Sequence, residues 1–221
     1  VSQTRSDSRP KNRHYQRFNK ETINAPNLLL VEGQDDFQFF HFLTQRADLQ
    51  IHVYEGKDQL QLELQTLKAV EGFDDLKRAI IVRDADLDPN AALRSVAAQW
   101  GNAFQENQPN ADAETWFQDR EGREWSIWII PGSNTTGDLE ELLWRAVSHS
   151  DHRDCIEKLM TCLESFNGPP FDSKTKARLY SWLATQKEPV TQLYVALAGK
   201  IPLFDPSHPV FERYRQLIDQ I

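Results

Sequence analysis

The sequence predicts an α/β protein: a mainly parallel, four-stranded sheet flanked by helices, with a helical C-terminal part. Three observations predict it. Two short apolar runs, Leu28-Leu29-Leu30-Val31 and Ala79-Ile80-Ile81-Val82, each end in carboxylates. A stretch with helical spacing separates them. A third apolar run, Trp125-Ser126-Ile127-Trp128-Ile129-Ile130, follows, and beyond it only helical patterns recur. Apolar β-type runs joined through helical segments are the pattern of parallel strands buried on both faces.

In chain order, residues 27–31 read as a strand. Residues 34–46 read as a helix, with Phe37, Phe40 and Leu43 at helical spacing. Residues 51–54 form a second short strand closed by the turn Glu55-Gly56-Lys57. Leu60, Leu64 and Leu67 mark one face of a helix over residues 59–70, and residues 79–83 form the third strand. Right-handed crossovers make these strands parallel neighbours. Pro89 opens a helix over residues 90–104, and the polar residues 107–113 form a loop. Residues 114–118 and 125–130 bracket Asp119-Arg120-Glu121-Gly122 as a hairpin whose second arm is the buried fourth strand. Helices follow over residues 139–147, 153–166, 173–186, 190–197 and 211–221, with Gly168-Pro169-Pro170 breaking the second from the third. The expected organisation is a disordered basic arm over residues 1–24, an α/β core over 25–150, and a helical extension over 151–221 packed on that core.

The chain has 221 residues and a formal net charge of −8. Residues 1–20 hold six basic residues and one acidic residue, which leaves an acidic body. Such a body does not hold nucleic acid by bulk electrostatics, although the arm can add phosphate contacts. No apolar run approaches the roughly 18 residues of a membrane span, so no membrane partner is expected. The two cysteines, Cys155 and Cys162, are too far apart along a helix to bridge. Reduced thiols and the lack of a visible secretory signal fit a cytoplasmic location.

In open α/β sheets the chemistry gathers at the carboxyl ends of the strands. Glu32, Asp36, Asp84 and Asp86 all follow such ends and are expected to converge. Glu32 and Asp36, four residues apart, share a side if a helix begins near Gly33. Asp84 and Asp86, two apart, share a side if the strand continues. Gly33 lets the backbone turn sharply and a phosphate approach. Clustered carboxylates raise one another's pKa unless neutralised. A divalent ion bound through oxygen alone, Mg2+ or Mn2+, is the fitting counter-charge. Asp35 reads as solvent-facing or a helix cap, and Asp88 as an N-cap. Asp138 is equally an N-cap or a ligand. The loop Gly132-Ser133-Asn134-Thr135-Thr136-Gly137 is either a connector or a phosphate cradle. It is not a P-loop, because no Gly-Lys-Ser/Thr follows.

With Val31-Glu32-Gly33 after the first strand and Asp84-Ala85-Asp86 after the third, the chain resembles the TOPRIM family. That core is shared by topoisomerases, primases and OLD-type nucleases. The longer string Val-Glu-Gly-x-Asp-Asp-x-x-Phe-Phe is similar to small stand-alone bacterial TOPRIM proteins of the DUF3226 kind. The resemblance implies a TOPRIM/Rossmann-like core over about residues 27–150, with Glu32, Asp84 and Asp86 as catalytic acids. It further implies Asp36 as a second acid one turn on, a further metal-binding acid after the fourth strand, where Asp138 and Glu140 both fit and the resemblance favours Glu140, and a lysine from the helical tail. Lys174 and Lys176 both fit that last place, and no motif separates them. The implied activity is metal-dependent phosphodiester hydrolysis of DNA or RNA. Because some OLD-type nucleases carry a fused ATPase and these residues contain no P-loop, a separate partner such as an ATPase is compatible with the pattern. The alternative is a non-catalytic module that docks nucleic acid or a partner protein. A phosphoacceptor domain fits worse, since Glu32-Gly33 and Asp86 have no place in one.

Overall fold

A computed structural model describes residues 22–110, 112–147, 151–166, 173–198 and 203–221. Most of the basic arm and the Gly168-Pro169-Pro170 break lie outside the described residues. Thr22 and Ile23, assigned to the arm by sequence, belong to the fold: Thr22 bridges to Glu71, and the buried Ile23 donates its N–H to the Glu71 carbonyl at 2.6 Å.

The sheet has five strands rather than four, in the order β2-β1-β3-β5-β4. Strands β1 (Asn27–Val31), β2 (Leu49–Val53), β3 (Arg78–Asp84) and β5 (Glu124–Ile130) are parallel. The fifth, β4 (Trp116–Gln118), is three residues long and pairs antiparallel with β5 at the sheet edge. The hairpin was legible, but its first arm also joins the sheet, so the sheet is mixed. Gly122 sits in the turn with φ 84°, where a side chain is disfavoured.

Alternation along the strands divides the core in two. Leu29, Val31, Ile80, Val82, Trp128 and Ile130 face one layer. Leu28, Leu30, Ala79, Ile81, Trp125, Ile127 and Ile129 face the other. The second layer is covered by α2 (Leu60–Leu67) and α3 (Pro89–Phe104). The first is covered by α1 (Gln34–Leu43), α4 (Leu139–Ala146) and the later helices α5 (Asp151–Glu164), α6 (Lys174–Ala184), α7 (Leu193–Leu197) and α8 (Glu212–Asp219).

The C-terminal helices therefore share one hydrophobic cluster with the sheet. Phe39 of α1 meets Phe211 and Tyr214 edge-on, with ring centroids 5.5 and 5.7 Å apart. Such pairs add roughly 0.5–1.5 kcal/mol beyond area burial. Arg46 Nη1 donates to the Ile218 carbonyl at 2.7 Å, which fastens α8 beside the first crossover. Cys155 and Cys162 both lie on α5, exposed and unbridged. No helix among the described residues is long and apolar enough to cross a membrane.

The connections set the site. From β1 the chain crosses by α1 to β2 on one side; from β2 it crosses by α2 to β3 on the other side of β1. The strand order therefore reverses between β1 and β3. A crevice opens at the carboxyl ends of strands at such a switch point.

Candidate active site

The crevice is a cleft of about 440 Å³. Its floor is built from Glu32 at the end of β1, Asp36 in the first turn of α1, Asp84 at the end of β3 and Glu140 in the first turn of α4. Each acid reaches the cleft for a local reason. Val31 points into the first layer, so Glu32 emerges at the sheet margin. Residues 34–43 coil because Phe39 and Phe40 bury on that layer, which turns Asp36 back toward Gly33. Leu139, Leu142 and Leu143 bury the apolar stripe of α4, and Glu140 enters the cleft beside Leu139.

These carboxylates are expensive as they stand. Asp36 is buried, and its pKa is pushed up to about 7, chiefly by loss of hydration and then by Glu32, Glu140 and Asp35, against the Gly33 N–H that supports its charge. That N–H donates to Asp36 Oδ2 at 2.9 Å. Asp84 is driven well above the carboxylate range by burial and by Asp36, Asp138, Glu140 and Glu32. Its Oδ1 is buried and has no hydrogen-bond partner. Glu140 is raised by burial and by Asp138, with Lys176 opposing. Lys176 Nζ stands 3.0 Å from Glu140 Oε1.

The structure separates the remaining sequence candidates from this floor. Asp86 does not follow Asp84 onto the same side. β3 ends at Asp84, and Asp86 turns through a left-handed conformation with φ 48°. Its carbonyl accepts from Gly137 N, and its carboxylate pairs with Lys57 at 2.8 Å beside a second hollow. Asp138 is the N-cap of α4, accepting from Glu141 N at 3.0 Å, and acts on the cleft only through its charge. Lys174 faces away and pairs with Glu164 at 2.5 Å. Asp88 caps α3 as expected, accepting from Asn90 N and Ala91 N. Asp35 is neither plainly exposed nor a cap. It lines the cleft and accepts from the Tyr194 backbone.

Gly33 is extended, at φ −141° and ψ −179°, which any residue adopts, so it makes no sharp turn. The loop over residues 132–137 does not line the cleft. Arg213 packs on Gly132 and pairs with Glu114, which pins the loop to α8.

Sequence reasoning missed three contributors. Arg83 lies level with Glu32 across the β1–β3 pairing, with Nη1 3.4 Å from Oε2. Tyr180, on α6, and residues 191–194 form the wall opposite the acids. A signal for Tyr180 existed: it stands four residues after Lys176, so both share one helical face.

Residues 26–221 match the model of a family described as Protein of unknown function (DUF3226). The chain belongs to the DUF3226 family. The match takes in every described strand and helix, and with them all four floor acids and Lys176; it excludes the basic arm of this DUF3226 member. No curated protein and no solved structure matches the chain.

The donor chemistry of the floor suits a hard divalent cation: four carboxylates, all oxygen, opposed by Lys176 within the cleft. Among the described residues, no three His, Cys, Asp or Glu side chains stand close enough together, as they are placed, to hold a metal ion. Three of the four acids instead have internal partners: Glu32 is ion-paired with Arg83, Asp36 accepts from Gly33 N–H, and Glu140 is ion-paired with Lys176. The unmatched acceptor is Asp84 Oδ1.

Proposed function

We propose that this protein hydrolyses phosphodiester bonds of nucleic acid with a divalent ion, Mg2+ or Mn2+, in the manner of a TOPRIM-type nuclease of the OLD kind. The observation that carries this reading is Asp84. Its buried, unpaired Oδ1 lies among Asp36, Glu140 and Glu32 at the sheet's switch point. A buried acceptor without a donor costs roughly 1–3 kcal/mol, and more when charged. A bound cation removes that cost and the mutual repulsion together.

Asp84, Asp36 and Glu32 would hold the ion, with Glu140 beside them. Bound there, it supplies Lewis-acid polarisation of a phosphoryl oxygen and a more acidic water. The chain's own groups do the rest. Lys176 offers a positive charge to a phosphate arriving at Glu140. Arg83 holds Glu32 in place. Asp36 and Glu140 are buried, which strengthens the charge interactions at those two groups. In the net reaction water adds to phosphorus, one P–O ester bond breaks, and the leaving oxygen takes up a proton. A separate partner such as an ATPase belongs to the same proposal.

The second reading, a non-catalytic docking module, is favoured by the internal partners that three of the acids already have. One experiment separates the two. Labelled plasmid and single-stranded DNA and RNA are incubated with Mn2+, Mg2+ or EDTA, using wild type, Glu32→Gln and Asp84→Asn. Metal-dependent cutting that both variants lose supports the nuclease. A folded wild type that cuts nothing under any metal sinks it and leaves the docking module.

A further inference from the structure

The two walls of the cleft differ in kind. One carries the carboxylates. The other, supplied by the C-terminal helices, carries Lys176, then Tyr180 one turn along α6, then Thr191, Gln192 and Tyr194. Residues four apart share a helical face, so the cation and the aromatic ring stand in line above the floor. Tyr180 packs against the large hydrophobic cluster and also lines the cleft. Phe39, Phe40, Trp100 and Phe104 all pair with other rings, whereas Tyr180 has no ring partner among the described residues. Thr191 and Gln192 are exposed beside it and bring hydroxyl and amide groups able to donate and accept. The Tyr194 backbone holds the Asp35 carboxylate, which fixes this wall to α1.

We propose that this wall is a nucleobase subsite. The Tyr180 ring is the stacking face for the base whose phosphate lies at the carboxylates, Lys176 marks the phosphate end, and Thr191 and Gln192 meet the base edge. The proposal rests on the nuclease reading and narrows its substrate. A cleft of about 440 Å³ lies near the small end of ligand pockets, roughly 300–1,000 Å³. It takes one unstacked nucleotide rather than an intact duplex. The ligand is therefore a single strand, or a strand end, of DNA or RNA. Stacking is tolerant of base identity because every base has a π-face, so little sequence preference is expected. The edge contacts add only a modest one.

The test separates binding from cutting. Fluorescence anisotropy is measured with end-labelled single-stranded DNA, its RNA counterpart, the same DNA strand made abasic, and a blunt duplex, all with Ca2+ as the ion. Wild type runs beside Tyr180→Phe, which keeps the ring, and Tyr180→Leu, which keeps apolar packing without a π-face. Circular dichroism confirms that the variants fold. Wild type and Tyr180→Phe should hold the base-bearing strand at least about tenfold more tightly than the abasic strand. Tyr180→Leu should lose that ratio. The tighter of the DNA and RNA arms identifies the sugar. A wild type that binds abasic and base-bearing strands alike, or a Tyr180→Leu variant that keeps the ratio, overturns the subsite. If Mn2+-dependent cutting is nevertheless present, the nuclease reading survives that loss. If Tyr180-dependent binding is present without cutting, the nuclease reading is the part that fails.

Discussion

Arg83 and Glu32 form an ion pair through the sheet margin: Arg83 Nη1 stands 3.4 Å from Glu32 Oε2, although Arg83 leaves β3 on the face opposite Asp84. The guanidinium is buried, and its Nε and Nη1 make no hydrogen bond. The strand thus places an acid on one side and, one residue earlier, the counter-charge for a neighbouring acid on the other.

Arg83→Met should test that relationship. Removing one partner of a fully buried ion pair costs roughly 3–5 kcal/mol because the other charge is stranded, but Glu32 is partly exposed and can hydrate. Thermal stability is expected to fall by less than that roughly 3–5 kcal/mol. Turnover is expected to fall at least about tenfold because Glu32 loses its support, an outer-shell effect of the usual size. A melting curve and a cleavage assay on the same preparation give both numbers. Unchanged turnover would show that Glu32 needs no positioning.

The acids of the cleft make stability depend on pH in an unusual direction. Asp36 titrates near 7 in the folded chain and near 3.9 in an unfolded one. Between those values the folded state binds more protons, so stability falls as pH rises through the window, by up to about 1.4 kcal/mol per pH unit for one group. The metal-free protein should therefore melt at lower temperature at pH 8 than at pH 5. Asp36→Asn should flatten the profile, and Mn2+ should raise Tm more at pH 8 than at pH 5. A wild-type profile flat from pH 5 to 8 in EDTA would contradict the burial of Asp36.

Asp84 and Asp86 look equivalent in the Asp-x-Asp motif but not in space. Asp84→Asn is expected to abolish saturable Mn2+ binding by calorimetry, because Asp84 alone among the described acids has a buried side-chain oxygen without a hydrogen-bond partner. Asp86→Asn breaks only an exposed pair with Lys57. Such pairs are worth about 0–1 kcal/mol, and asparagine tolerates the left-handed backbone. Its Mn2+ affinity should fall less than tenfold. Equal losses in the two variants would place Asp86 at the ion.

The two lysines divide in the same way. Lys176→Gln removes the cation beside Glu140 and should lower turnover at least about tenfold, as loss of a phosphate-stabilising charge does. Lys174→Gln loses a half-exposed pair with Glu164, worth at most about 1 kcal/mol, and should leave turnover unchanged. Single-turnover cleavage at saturating Mn2+ compares them directly.

Asp138 separates capping from ligation. As the N-cap of α4, Asp138→Ala should cost about 0.5–2 kcal/mol of stability, while Asp138→Asn, which can still accept from Glu141 N, should cost little. Urea denaturation of the two variants measures this. Equal costs would mean that its charge, not its cap, matters to folding.

Much of the architecture was legible because its signals are local. The continuous apolar run Leu28-Leu29-Leu30-Val31 and the helical spacing of Leu60, Leu64 and Leu67 named their elements without reference to the rest of the chain. The fifth strand was less visible. Three residues, Trp116 to Gln118, carry too little pattern to distinguish a sheet strand from a hairpin arm. The side that Asp86 takes was not legible, because it depends on one backbone angle at a residue whose carbonyl accepts from Gly137, 51 residues on.

Local pattern is enough to put Glu32, Asp36 and Asp84 at the carboxyl edge of parallel strands. Strand alternation and crossover handedness are properties of neighbouring residues and of chirality. Tertiary structure alone decided which further groups join them. Glu140 and Lys176 come to the cleft, while Asp86, Asp138 and Lys174 turn to other partners, and Tyr180 closes the far wall. That choice rests on how α4 and α6 dock their apolar faces on the sheet. A helix rotated by one residue would present a different side chain, and no local pattern fixes that rotation.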